Sequence, residues 1–140
     1  DMEAEKLHRD LQDNLLTQIG IEFYINADSM DMETVTEVMG IAPTETSEDI
    51  SAPKDIGFSY WRYSSEYVNC NDVDNILGLF LNEIKCNRNK ITEYLSKLDR
   101  VDMGICVVLR VGDEPFKISI SRENIEILSK LNCILQFDVI

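Results

Sequence analysis

The sequence predicts an α+β fold in the order β-α-β-α-β-β-α-β. This is a mainly antiparallel five-stranded sheet with helices packed on one face, plus an N-terminal helix. Three observations predict it. Apolar residues recur at threes and fours in some segments, the helical period, and alternate one-for-one in others, the strand period. The alternating segments have one apolar and one polar face, as antiparallel strands covered on one side do. The chain has 140 residues and is 44% hydrophobic, enough for one core without disulfide or metal staples.

Ala4, Leu7, Leu11 and Leu15 stand at three-to-four spacing among charges and predict an amphipathic helix over 2–16. Residues 1–18 read as a helical extension and 19–140 as a single α+β domain. Asp1 ahead of Met2 reads as a cloning remnant, and no basic-then-apolar signal pattern follows it. Ile21, Phe23 and Ile25 alternate with Glu22, Tyr24 and Asn26, a half-buried strand over Ile19 to Ala27. Asp31 is placed to cap a helix from Met32 to Met39, and Gly40 to end it. Ile41 to Gly57 keeps no period and carries Pro43 and Pro53, so it reads as a long loop. Phe58 to Ser64 is aromatic-rich and reads as a second strand.

The longest helical pattern runs from Asp72 to Leu98 through Val73, Leu77, Phe80, Ile84, Ile91 and Leu95. Its weakest stretch is Cys86 to Lys90, where a kink or a split into two helices is expected. Met103 to Val111 is the most apolar strand. Gly112 and Asp113 then mark a turn, and Phe116, Ile118 and Ile120 alternate with Lys117 and Ser119, which predicts a β-hairpin. Ser121 caps a helix carrying Ile125, Leu128 and Leu131, ended by Asn132 in the left-handed conformation. Cys133 to Val139 reads as the last strand. The polar side of the sheet is expected to carry Glu22, Tyr24, Lys117, Ser119, Gln136 and Asp138.

Thirteen basic residues against 26 acidic ones give a formal net charge of -13. Such a surface repels phosphate backbones and anionic headgroups, which argues against nucleic acid and membranes and for a basic protein as partner. Cys70, Cys86, Cys106 and Cys133 form no C-x-x-C pair, so reduced thiols in the cytoplasm are expected, with Cys106 and Cys133 in the core. His8 is the only histidine and reads as a surface residue. A histidine-based triad and a Cys/His zinc site therefore lack their parts. A calcium loop opening at Asp72 fails, because Leu77 stands where glycine is needed. The scattered glycines make no phosphate loop. No catalytic residue, metal or cofactor is assigned.

Several strings resemble one known family. They are EVMGIAPT from Glu37 to Thr44, GFSYWRY from Gly57 to Tyr63, DMGICVVLRVGDEPFKISI after the long helix, and LNCILQFDVI at the end. Together they resemble the bacterial family catalogued as domain of unknown function 4279, over roughly Ile19 to Ile140. The resemblance implies a fold of this order, a bacterial cytosolic location and no established reaction. The loop ETSEDISAPKD departs from the family, whose members often carry a Trp and a Gly-Asp there. Small acidic bacterial proteins of this kind resemble immunity proteins that neutralise toxins.

The leading expectation is a non-enzymatic protein-binding domain, of the type that neutralises a basic toxin. Its contact surface would comprise Tyr24, Thr44, Glu45, Glu48, Asp49, Asp55, Trp61 and Tyr63, since Trp and Tyr dominate binding hot spots. Core packing against the long helix is the competing role for Trp61. Two alternatives are a small-molecule binder or enzyme using the loop carboxylates, and a homodimer joined through an edge strand or the terminal helix.

Overall fold

The structure is a computed structural model and describes residues 2–5, 16–54, 56–84 and 88–140. Strand β1, Gln18–Ala27, is the axis of the sheet. Ile19, Ile21, Phe23, Ile25 and Ala27 all point to one side of it and are buried. Each such side chain taken from water is worth about 1.5–3 kcal/mol, so this row fixes the register of everything paired to it. Helix α1, Met32–Met39, forms as expected. Asp31 accepts a hydrogen bond from the Glu33 N–H at 3.3 Å. Gly40, at φ 72°, donates its N–H to the Thr36 carbonyl at the other end.

Strand β2, Glu45–Thr46, and strand β3, Ser59–Ser64, follow, with β3 antiparallel to β1 and β2 antiparallel to β3. Strand β4, Val68–Asn69, continues along the same edge of β1 after a break at 65–67. Helices α2, Val73–Glu83, and α3, Arg88–Leu95, come next. Strand β5, Asp102–Arg110, lies antiparallel along the other edge of β1. Helix α4, Arg122–Leu131, leads to strand β6, Ile134–Val139, which runs parallel to β5. The sheet order is β2-β3-β1-β5-β6, with β4 beside β1.

The sheet is therefore mainly antiparallel, as expected, but it has six strands where five were expected, and β5–β6 is a parallel pair. The expected hairpin after β5 does not form. Both edges of β5 are occupied, one by β1 and one by β6, so no edge is left for a returning strand. Residues 112–121 instead strap across the start of α2. Lys117 donates its N–H to the Asn71 carbonyl at 2.7 Å and accepts from the Val73 N–H at 3.2 Å, an isolated parallel bridge. Phe116 and Ile120 pack against the core while Ile118 is exposed, so the alternation was real but belonged to a strap. Lys117 and Ser119 are accordingly absent from the sheet. The parallel β5–β6 pair follows from the α4 crossover, since parallel neighbours need a long connection.

The pattern over 72–98 resolves into α2 and α3, the split allowed for at the Cys86–Lys90 patch; residues 85–87 lie outside the description. The loop over 41–57 contains β2 and a turn built on Asp49. The expected N-terminal helix falls mostly outside the described residues, of which 2–5 are helical. His8, Asp55 and Cys86 also lie outside them. Among the described residues, no helix is long and apolar enough to cross a membrane.

Helices α1 to α4 pack on the side of β1 that carries Ile21 and Phe23. Val35 and Met39 of α1, Leu77, Phe80 and Leu81 of α2, Ile91 and Leu95 of α3 and Leu128 of α4 share one core with Trp61, Ile105, Val107 and Leu109. None of these four helices packs on the opposite side of the sheet.

Candidate functional site

A strand alternates its side chains, so the register of the sheet dictates what the side away from α1 to α4 displays. From β1 these are Gln18, Gly20, Glu22, Tyr24 and Asn26. Pairing sets Tyr60, Arg62 and Ser64 of β3 beside Asn26, Tyr24 and Glu22. It sets Asp102, Gly104, Cys106, Val108 and Arg110 of β5 on the other flank. Glu45 of β2 faces Arg62, and Ile134, Gln136 and Asp138 of β6 complete the row.

Arg62 holds the middle of one half. Its guanidinium lies 3.7 Å from Glu22 and 3.9 Å from Glu45. It also stands 4.2 Å over the Tyr60 ring, a cation–π contact. Tyr60 donates its hydroxyl to Glu45 at 2.7 Å. That hydrogen bond to a carboxylate, with burial second, pushes the Tyr60 phenol above its ordinary pKa. Ser64 donates to Glu22 at 3.3 Å.

Two tyrosines cross to glycines on neighbouring strands. A side chain on Gly104 would collide with the Tyr24 hydroxyl and ring. One on Gly20 would meet the Tyr67 ring at 2.9 Å. Arg110 stands 3.6 Å over that Tyr67 ring. Burial, then the charge of Asp102, pushes the Tyr24 phenol up. Cys106, expected in the core, is half-buried on this face instead, because the register sets it opposite Glu22. Burial followed by Asp138 pushes its thiol up, away from the thiolate form that a nucleophile needs.

The expected contact residues divide. Tyr24, Thr44 and Glu45 are brought together around Arg62 and Ser64. Thr44 donates its N–H to the Arg62 carbonyl at 2.7 Å, and its hydroxyl accepts from the Ser64 N–H at 2.9 Å. Glu48 and Asp49 sit in the next turn. Asp49 accepts from the Thr46 N–H at 3.0 Å and from its hydroxyl at 3.4 Å, so it shapes the loop while Glu48 stays exposed. Trp61 leaves the expected surface: it is 0% exposed, edge-on to Phe23 with ring centres 6.1 Å apart, and donates Nε1–H to Thr36 at 3.1 Å. Its register partner is Ile25, which puts it on the core side. Tyr63, two residues on, shares that side. It stacks on Phe80 at 5.7 Å and donates to Glu83 at 2.8 Å.

Arg62 and Arg110 were not expected at the site from the sequence. Gly104, inside the most apolar strand, was the available signal, since glycine there often marks the close approach of another group. Among the described residues no group of three His, Cys, Asp or Glu side chains could hold a metal ion. Tyr24 and Tyr60, whose phenols are pushed up, stay protonated at neutral pH. The acids Glu22, Glu45, Asp102 and Asp138 outnumber Arg62 and Arg110, leaving the face negative.

Residues 17–140 match the family described as "Domain of unknown function (DUF4279)". The chain belongs to the DUF4279 family. Within this DUF4279 domain, EVMGIAPT covers the end of α1, its glycine cap and the approach to β2. GFSYWRY supplies most of β3, and LNCILQFDVI the end of α4 and β6. These strings thus build the sheet and its caps, and β3 also furnishes Tyr60 and Arg62 of the open face. Neither the curated proteins nor the solved structures yielded a match to this DUF4279 chain.

Proposed function

We propose that the domain is a protein-binding module, and that the side of its sheet away from α1 to α4, with β2 and the 45–49 turn, receives a basic partner. One observation carries this reading. The sheet packs α1 to α4 on one side, and on its other side acids outnumber bases around an Arg62–Glu22–Glu45 cluster. Arg62 is held by exposed carboxylates at long distance, a weak arrangement in water. A lysine or arginine brought by a partner can replace it at Glu22 or Glu45. Tyr24 beside the cluster offers the flat, partly wet aromatic surface that interfaces favour. Neutralisation of a basic toxin is the role that best fits such a surface. A cytoplasmic location goes with this reading, supported by the free thiols of Cys70 and Cys106.

The test is recovery of a partner from the native host at low and high salt, with the unaltered chain and with Glu45→Lys/Asp138→Lys. A basic protein retained at about 50 mM salt, and lost at several hundred millimolar and from the variant, is the expected result. Equal recovery by the variant, or only the chain itself at both salts, overturns the proposal.

A further inference from the structure

A second feature lies at the end of β1, where the sheet meets the loop before β3 and the turn before β5. A cavity of about 330 Å³ is lined there by Asn26, Asp28, Ile56, Gly57, Phe58 and Arg100. We propose that this cavity binds a free α-amino acid with an apolar or aromatic side chain, held as its zwitterion.

Four features of the lining converge on that chemistry. First, it holds one cation and one anion side by side. Arg100 Nε lies 3.8 Å from Asp28 Oδ2, and the two side chains are 85% and 43% exposed. A pair this wet and this long is held weakly, and each member is available to a stronger partner. A guanidinium grips a carboxylate with two parallel N–H bonds, and a carboxylate accepts from an ammonium. Second, Asn26 Oδ1 is buried and receives no hydrogen bond. Buried acceptors are nearly always paired, and the Asn26 amide at the wall of this cavity lacks a donor. An ammonium carries three donors, enough for Asp28 and Asn26 together.

Third, Phe58 and Ile56 give the cavity an apolar wall. Phe58 is partly exposed and tilted against Tyr60, with ring centres 6.4 Å apart. Fourth, two left-handed residues meet at this cavity, Gly57 at φ 78° and Arg100 at φ 55°. Glycine takes that conformation freely, but arginine is strained in it. Strained backbone of this kind concentrates at ligand sites. At Arg100 the strain accompanies a guanidinium that glycine would not supply.

The ligand must therefore offer an anion, a cation with spare donors and an apolar body within a small volume. A phosphate meets Asp28 unfavourably, and a chain terminus within a protein offers only one of the two charges. A free amino acid offers both on adjacent atoms. This inference does not rest on the protein-binding proposal: Asn26 borders that sheet face, but Asp28 and Arg100, which would hold the ligand's charges, lie outside it.

Calorimetry and thermal unfolding test it with phenylalanine, tyrosine, leucine, glutamate and lysine. N-acetylphenylalanine, which lacks the ammonium, and phenylalaninamide, which lacks the carboxylate, are the controls. Saturable heat and a raised unfolding temperature are expected with the apolar or aromatic amino acids, and at least about tenfold weaker binding with both blocked analogues, one power of ten being 1.4 kcal/mol. Arg100→Gly relieves the backbone while removing the guanidinium. It should unfold no lower than the unaltered chain yet lose the ligand response, so lost binding cannot be blamed on lost folding. No response to any free amino acid up to about 10 mM, well above a millimolar Kd, overturns the proposal. So does equal binding of the blocked analogues, or an undiminished response in Arg100→Gly.

Discussion

The Tyr24 ring occupies the space that a side chain on Gly104 would fill. Tyr24 sits on the central strand and Gly104 opposite it on β5. A methyl group built on Gly104 would stand 2.6 Å from the Tyr24 ring carbon that bears the hydroxyl. Gly104→Ala is therefore expected to cost about 1–3 kcal/mol of unfolding free energy, the usual range for overpacking. Tyr24→Ala/Gly104→Ala should recover part of that loss, a coupling that a double-mutant cycle in urea would measure. Additive losses would show that the ring moves aside at no cost.

Trp61 and Thr36 tie β3 to α1. Trp61→Phe keeps an aromatic body but removes the Nε1–H that Thr36 accepts at 3.1 Å, and a loss of about 1–3 kcal/mol is expected. Trp61→Ala should cost about 3–5 kcal/mol. The chain has one tryptophan, so its fluorescence reports this site directly. Emission should be blue-shifted in the folded protein and move red in a single step on unfolding.

Asp74 joins α2 to α4. Its carboxylate accepts from the Ser121 N–H at 2.9 Å and from the buried Asn124 amide at 2.7 Å. The Ser121 N–H chiefly, against a smaller opposing effect of burial, holds its carboxyl below the ordinary value. A depressed folded-state pKa gives stability that is present above the unfolded value and lost as pH falls through the folded one. Asp74→Asn should flatten the fall of the unfolding midpoint between about pH 4 and more acid conditions. Asn124→Ala, which leaves Asp74 short of a donor, should cost about 1–3 kcal/mol at neutral pH.

The alkaline side is governed by Tyr24, Tyr60 and Tyr63. All three phenols are pushed up, Tyr24 chiefly by burial, Tyr60 by its bond to Glu45 and Tyr63 by its bond to Glu83. A raised folded-state pKa gives stability present below the unfolded value and lost as pH rises through the folded one. Stability should thus decline above about pH 10, with tyrosinate absorbance appearing later than in the unfolded chain. Glu45→Gln should make part of that absorbance appear earlier.

Strand β6 leaves an apolar edge in water. Ile134, Phe137 and Val139 are all exposed on it. Edges of this kind invite pairing with other chains, and a charge blunts them. Val139→Lys should raise the temperature at which scattering grows on heating, with little change in the unfolding midpoint. Equal scattering would place the aggregation-prone segment elsewhere.

What the sequence disclosed was what is decided locally. Asp31 with Gly40 and Ser121 with Asn132 bracket their helices because a cap needs only its own few residues. The strand pattern of β1 was legible for the same reason. Pairing was not, because it depends on which edges remain free once distant strands have docked. Phe116 and Ile120 looked like a hairpin arm and became a strap. The open face was half legible: Glu22, Tyr24, Gln136 and Asp138 follow from alternation, whereas Arg62 between Glu22 and Glu45 needed three strands in register. Trp61 and Tyr63 alternate with Tyr60 and Arg62, but nothing local says which pair faces the helices.

The central position of β1 also sets the timing of folding during synthesis. β1 precedes every strand it pairs with, and the β5 strand that pairs it from Gln18 to Asn26 is made only at residues 102–110. Until then the growing chain carries the sticky row from Ile19 to Ile25 with one flank unmatched. Completion of the sheet has to wait for distant pairings, the slow kind. A ribosome-bound chain arrested before residue 102 is therefore a client for holding chaperones, and one extended past β6 is not.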